Sequence, residues 1–373
     1  MKYGLFTMPQ HPPERGLAEG HEWDLQVLRW ADGYGFNEAW IGEHHTCPWE
    51  PHPSPDLLIA QAIRETKNIR LGPGGFLLPF HHPAELANRL AMLDHMSGGR
   101  INFGVAASSL ATDWAMFNVD GASGQNRDMT REALDIILKL WSETEPFEYV
   151  GKFWTVRLPE AMFDGMLKPH IKPVQQPHPP IGVAGLSKKS DTLKLAGERG
   201  YLPMSLNLNV NYLTAHWQTV EESAAAVGRV AHRSDWRLAR EVFVAETDAE
   251  AERLALKGMM GRMSRDYILR IFEIFKFTDY LKHSPEVADS DVTPEYLAKH
   301  NWLIGSPTTV ARKIEELYDQ LGGFGCLLAL GYDYIDQPEA WRNSMELLAR
   351  EVMPKLRHLV PVESRAKPRR AVG

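Results

Sequence analysis

Short apolar, β-branched runs alternate with longer stretches whose apolar residues recur at helical spacing, and the alternation continues from Lys2 to Val352. Strands are predicted at Lys2–Thr7, Glu38–Glu43, Ile69–Leu78, Arg100–Ala106, Pro180–Ala184, Leu202–Leu206, Arg240–Glu246 and Gly325–Leu330. Helices are predicted between and after them, at Trp23–Tyr34, Pro55–Arg64, Pro83–His95, Thr130–Trp141, Ser190–Arg199, Val210–Val227, Pro307–Leu321 and Pro338–Val352. Trp23, Val27, Trp30 and Ala31 share one face of the first helix, and Gly35 ends it. Strand, turn, helix, strand is the rhythm of a parallel α/β sheet. About eight such units is what closure of a (β/α)8 TIM barrel requires, whereas an open doubly wound sheet uses fewer strands.

The rhythm is interrupted by a polar, glycine-rich excursion at 108–125, a stretch with seven prolines at 145–180, and a segment rich in Met, Phe, Tyr and Ile at 257–304. The prediction is a single α/β barrel domain over 1–355 with insertions after strand 4 and strand 7, followed by a C-terminal tail at 356–373. FEYVGKFWTV inside the proline-rich stretch reads as a hairpin.

Composition narrows the function classes. The charged share of 24% is ordinary, and a net charge of −7 argues against nucleic acid or an anionic membrane surface as the main partner. The short basic run Arg365–Arg370 reads as a solvated tail. Cys47 and Cys326 are the only cysteines, too few for a disulfide framework or a cysteine metal site, which suits a reducing cytosol. MKYGLFTMPQ lacks the apolar core of a signal peptide, and no run is long enough to span a membrane. A cytoplasmic location is expected.

Candidate chemistry gathers at the carboxyl ends of the strands, the catalytic face of a barrel. Strand two ends in Glu43-His44-His45, and alternation along a strand points His44 away from Glu43 and His45. A histidine there suits general acid–base work, or packs as a structural group. Adjacent histidines have the wrong geometry for a shared metal, and His81-His82 has no third ligand at metal-site spacing. Gly74-Gly75 interrupts strand three, either because a flat ligand lies against the backbone or because the strand bulges. Ser187, Ser190 and Thr192, with Lys188 and Lys189, precede a helix as an anion cradle or as ordinary N-capping. No dinucleotide-binding fingerprint, P-loop or nucleophile elbow is present.

Taken together, these segments resemble the bacterial luciferase-like flavin monooxygenases. The resemblance covers nearly the whole chain and rests on EHH after strand two, on LGPGGFLLPFHHPAELANRLAMLDHMSGGRINFGVA, on TREALDIILKLW, on AGLSKKSDTLKLAGERGYLPMS and on NWLIGSPTTVARKI. The last two segments look most like the limonene and diketocamphane monooxygenase branch. The resemblance implies reduced FMN (FMNH2) and O2, a separate NAD(P)H:flavin reductase, and a homodimer or heterodimer. It implies insertion of one oxygen atom into a small, mostly apolar substrate through a flavin C4a–oxygen adduct. It places the FMN phosphate at Ser187, Ser190 and Thr192, the flavin ring against Gly74 and Gly75 and near Ala106, and the catalytic groups at His44 and Asp113. In the family the bond matching Gly74–Gly75 can be a cis non-proline peptide. Ala107 stands where luciferases carry a phosphate-holding arginine, and Ala106 where they carry a reactive cysteine. A deazaflavin-dependent hydride-transfer enzyme on the same barrel, or a non-catalytic flavin-binding homologue, are the rival expectations. The second insertion, with Met259, Met260, Met263, Tyr267, Ile271, Phe272 and Phe275, is a candidate substrate wall or an exterior helix.

Overall fold

The computed structural model describes residues 1–188 and 190–361. Lys189 and the basic run Arg365–Arg370 lie outside the described residues. The strands, in chain order, are β1 (Lys2–Thr7), β2 (Glu38–Ile41), β3 (Arg70–Pro73), β4 (Phe76–Leu77), β5 (Phe103–Ala106), β6 (Phe147–Val150), β7 (Thr155–Leu158), β8 (Ile181–Gly185), β9 (Leu202–Ser205), β10 (Arg237–Arg240), β11 (Val242–Val244), β12 (Leu303–Gly305) and β13 (Cys326–Leu330). Nine of them form one sheet in the order β3-β2-β1-β13-β10-β9-β8-β5-β4. The order begins on β3 and ends on β4, the two halves of one strand broken at Gly74-Gly75. Counted as one, those halves leave the eight positions of a (β/α)8 barrel. The expected α/β barrel class is the observed one.

The chain packs as two compact units. The amino-terminal unit comprises Phe6–Asp32 and Glu38–Gly182, and the carboxy-terminal unit comprises Met1–Leu5, Gly33–Asn37 and the chain from Val183 onward.

In the amino-terminal unit β2 and β3 pair in parallel, with Glu38 opposite Arg70 and Ile41 opposite Pro73. Every residue of β2 is buried, as expected for a strand covered on both faces. The glycines around the break answer a steric demand. A Cβ on Gly75 would lie 2.5 Å from the Val105 nitrogen, and one on Gly104 would lie 1.9 Å from the Pro73 carbonyl oxygen. The backbones of neighbouring strands approach too closely for any side chain. The Gly74–Gly75 bond is trans, and among the described residues only Gln176–Pro177 is cis. Gly104→Ala is expected to lower stability by about 1–3 kcal/mol, the usual penalty of overpacking, read as a drop in the urea midpoint.

The helix Leu17–Gly33 begins six residues before the predicted start at Trp23. The polar excursion after β5 contains a short helix, Ala111–Met116, where only loop is predicted. β6 and β7 form an antiparallel hairpin with Phe147 opposite Leu158.

In the carboxy-terminal unit β10 pairs in parallel with both β9 and β13, with Arg237 opposite Met204 and Cys326. This corrects the predicted seventh strand at Arg240–Glu246. Sheet pairing starts at Arg237, and beyond Glu241 the run becomes β11, which pairs with β12 (Val242 opposite Leu303). The arginines at both ends of RLAR disguise a strand that is buried throughout. Helices Asp191–Arg199 and Val210–Ala226 pack on β9, and Pro307–Leu321 packs on β12. In the second insertion Met259, Met260 and Met263 are buried, while Ile274 and Phe275 are exposed. Packing continues past the expected boundary at 355: Leu356 and Leu359 are buried, and the Met1 amino group donates to the Leu359 carbonyl at 3.0 Å.

Candidate active site

Beyond β2, Gly42 leads into the Glu43-His44-His45 triplet, in which Glu43 and His45 face one way and His44 the other. Glu43 turns inward and is 1% exposed. It accepts hydrogen bonds from His45 Nε2 at 2.8 Å, from His81 Nε2 at 2.9 Å and from the Leu77 N–H at 3.1 Å. The Arg89 guanidinium lies 3.2 Å from His81 Nδ1. Arginine only donates, so Nδ1 accepts and the His81 proton sits on Nε2, facing Glu43. Burial pushes the Glu43 carboxyl up, but hydrogen bonds from His45 and His81 outweigh it and hold the group below the usual carboxylate range. His45 is wedged edge-on against the Phe80 and Phe117 rings, with centroids 5.6 and 4.6 Å away. Glu43, His45 and His81 therefore form a filled structural hub.

His44 turns the other way, between two carboxylates. Its Nε2 lies 3.3 Å from Glu50 Oε2 and its Nδ1 lies 3.6 Å from Asp113 Oδ2, an ion-pair separation beyond hydrogen-bond range. His44 Nδ1 and Asp113 Oδ2 are both buried without a hydrogen-bond partner. Asp113 sits in the first turn of Ala111–Met116 with 0% exposure, and its Oδ1 accepts from the Thr46 hydroxyl. Glu50 accepts from Gln10 Nε2 at 3.1 Å. Burial draws the His44 pKa down, but Glu50 first, then Asp113 and Glu43, draw it above its ordinary value. Asp113 is raised by burial and lowered more strongly by His44 and Thr46, ending below the usual range. The two carboxylates favour the protonated ring, which suits His44 to donate a proton.

In the carboxy-terminal unit, Ser190 is the N-cap of Asp191–Arg199 and accepts from the Leu193 N–H. The Ser190 and Thr192 hydroxyl oxygens are 2.7 Å apart, and Thr192 donates to the Ala184 carbonyl at 2.6 Å. Both hydroxyls thus serve the turn itself, while Ser187 and Lys188 are exposed beside it. His216 holds this turn from beneath. It is 0% exposed, with Nε2 2.9 Å from the Ser187 carbonyl and Nδ1 3.0 Å from the Ser205 hydroxyl. Trp236 Nε1 donates to that same hydroxyl at 2.9 Å. A carbonyl only accepts, so His216 Nε2 carries a proton and donates it to Ser187. Burial pushes its pKa down to about 4, despite the opposing backbone contacts at Ser187 and Leu186.

His44 and Asp113 thus come together, as do Ser190 and Thr192. Gly74 and Gly75 mark the strand break, and Ala106 ends β5, half-buried. Glu50, His81 and His216 are absent from the sequence reading as site residues. A histidine inside the apolar stretch LTAHWQTV is the one signal that could have singled out His216.

A family model of luciferase-like monooxygenases matches residues 1–323. The chain belongs to that family. Within it, 3,6-diketocamphane 1,6-monooxygenase of Pseudomonas putida is 34% identical over 372 residues, covering 95% of this chain and 98% of that protein. Limonene 1,2-monooxygenase of Rhodococcus erythropolis is 31% identical, covering 94% of this chain and 86% of that protein. The oxygenating constituent of the P. putida 3,6-diketocamphane monooxygenase, a type II Baeyer–Villiger enzyme solved in complex with FMN, matches with a TM-score of 0.90 and 35% identity, over 95% of this chain and 98% of that one. Among the described residues of this luciferase-like chain, no helix is long and apolar enough to cross a membrane.

Proposed function

We propose that this chain is the oxygenase component of a two-component monooxygenase. It takes reduced FMN from a separate NAD(P)H:flavin reductase and inserts one atom of O2 into a small, mostly apolar substrate. The observation that carries this reading is His44, half-buried between Glu50 and Asp113, whose carboxylates draw its pKa above the ordinary value. The chain's own groups suit FMN. An exposed serine and lysine beside a capped helix N-terminus match a phosphate. His44 Nδ1 and Asp113 Oδ2 are polar atoms that the fold leaves unpartnered.

Bound reduced FMN supplies the electrons that activate oxygen. In this reading, Ser187, Lys188 and the first turn at Ser190 hold the phosphate, and Asp113 keeps the His44 proton on the ring. His44 moves that proton at Nδ1 during oxygen transfer. The buried surroundings of His44 keep water from the reacting groups. Helices Pro55–Glu65 and Pro83–Ser97 leave Leu57, Met92 and Met96 exposed, and this is the face proposed for pairing with a second chain.

Oxygen consumption tests the function. Reduced FMN from any flavin reductase, with a panel of bicyclic ketones and monocyclic terpenes, is expected to give oxygen uptake coupled to product. Hydride transfer to or from substrate under strict anaerobiosis would favour a deazaflavin enzyme instead.

His216 acts on the phosphate through the Ser187 turn, as a positioning residue. His216→Gln is expected to weaken FMN binding about tenfold, the loss of roughly one good hydrogen bond. Binding of riboflavin, which has no phosphate, stays unchanged; equal weakening of both ligands contradicts the role. The same residue sets a pH dependence. Its folded pKa of about 4 lies below the ordinary 6.5, so its contribution is intact above pH 6.5 and fades as pH falls towards 4. The urea midpoint is expected to drop across that window, and less steeply in His216→Gln.

A further inference from the structure

We propose that a cavity wholly within the carboxy-terminal unit binds a small phosphate-bearing anion. This cavity of about 440 Å³ is bounded by the start of helix Val210–Ala226, by the entry to β12 and by one face of helix Pro307–Leu321. None of the residues assigned above to FMN or to proton transfer lines it.

Its lining contains two buried groups that only donate hydrogen bonds. Arg240 is 3% exposed, and its Nε and Nη1 have no partner. Trp302 is 2% exposed, and its indole Nε1 has none either. Neither side chain has an acceptor atom to offer, so they do not satisfy each other. Buried donors left unpaired are costly, and two around one cavity call for an oxygen-rich occupant.

The charge agrees. Arg240, Lys299, Arg312 and Lys313 line the cavity against one carboxylate, Glu316, which already pairs with Arg312. Burial pushes Arg240 down to about 10, with the neighbouring Glu241 opposing the shift. Val210, the first residue of its helix, is also part of the lining and brings the positive end of the helix dipole. Size separates the candidates. The cavity far exceeds the ~30 Å³ share of one water, and it falls in the range of small-ligand sites. A phosphate group supplies several acceptor oxygens at once and matches the forked guanidinium geometry. Pyrophosphate and the phosphate end of a mononucleotide share that chemistry.

Calorimetric titration tests this on protein already saturated with FMN, at constant ionic strength, with inorganic phosphate, pyrophosphate and AMP as probes. One saturable site is expected beyond FMN. AMP as the tighter ligand would identify a nucleotide source, and pyrophosphate as the tighter would identify free phosphates. The double variant Lys299→Gln/Arg312→Gln changes two exposed side chains and should fold normally. It is expected to weaken binding about tenfold or more, the loss of charge-assisted contacts, with FMN affinity unchanged. Arg240→Met is expected to abolish binding; should that variant fail to fold, the double variant still decides. Absence of saturable binding at millimolar probe, or undiminished binding in the double variant, overturns the proposal.

Discussion

His44→Ala is expected to lower product formation by about 10²–10⁴-fold, the span usual for a lost general acid–base group. FMN binding should stay near normal, because the phosphate is assigned to residues around Ser187 rather than to His44. Reducing equivalents are then lost as hydrogen peroxide, so oxygen uptake continues while product falls. Measuring peroxide and product in the same reaction checks this, and tightly coupled turnover in the variant contradicts the assigned role. The pH dependence follows from the charges around the ring. Glu50 and Asp113 hold the His44 pKa above its ordinary 6.5. Activity that needs the protonated ring therefore persists above pH 6.5 and declines as pH rises through the His44 pKa. Asp113→Asn removes one of the two flanking anions and is expected to move that decline to lower pH. A purely structural Asp113 would leave the limb where it is.

Glu43→Ala is expected to reduce stability by about 3–5 kcal/mol, because it removes a buried carboxylate that accepts three hydrogen bonds. The substitution strands N–H donors on His45, His81 and Leu77 in a region almost sealed from water. Each stranded donor carries a penalty of about 1–3 kcal/mol. Glu43→Gln keeps the shape but turns an amide NH2 toward groups that also donate, so it rescues little. The wild-type pH dependence has a definite sign. Glu43 titrates below the ordinary 4.5 when folded, so its stabilisation is present above about pH 4.5 and is lost as pH falls through its lower folded value. Urea unfolding of both variants between neutral and acidic pH checks this, and a loss under about 1 kcal/mol for the alanine variant contradicts the hub.

The barrel was legible because its strands are buried on both faces and read as continuous apolar runs, as in EAWI of β2 and CLLAL of β13. The capping signal at Ser190 also matches the start of its helix. The seventh strand was misplaced where the sequence looks polar. Arg237 and Arg240 are buried arginines inside a parallel strand, and no periodicity separates them from a surface turn. The helix that carries Asp113 was hidden in glycine- and serine-rich surroundings that read as loop.

The Glu43-His44-His45 triplet itself is visible in the sequence, and so is the alternation that turns His44 away from Glu43. The groups that charge or lock those histidines were not. His81 reaches Glu43 across 38 residues and His216 reaches Ser187 across 29, contacts that arise only once the chain has folded. Glu50 lies in the proline-rich turn PWEPHPSP, where nothing in the local pattern marks a buried carboxylate.

The most direct test follows the oxygen atoms. Turnover of a ketone or terpene substrate with reduced FMN under ¹⁸O₂ is predicted to place one labelled oxygen atom in each product molecule, with the second leaving as water. Unlabelled product, or product formed equally well without oxygen, would contradict a monooxygenase and point to hydride transfer on the same barrel.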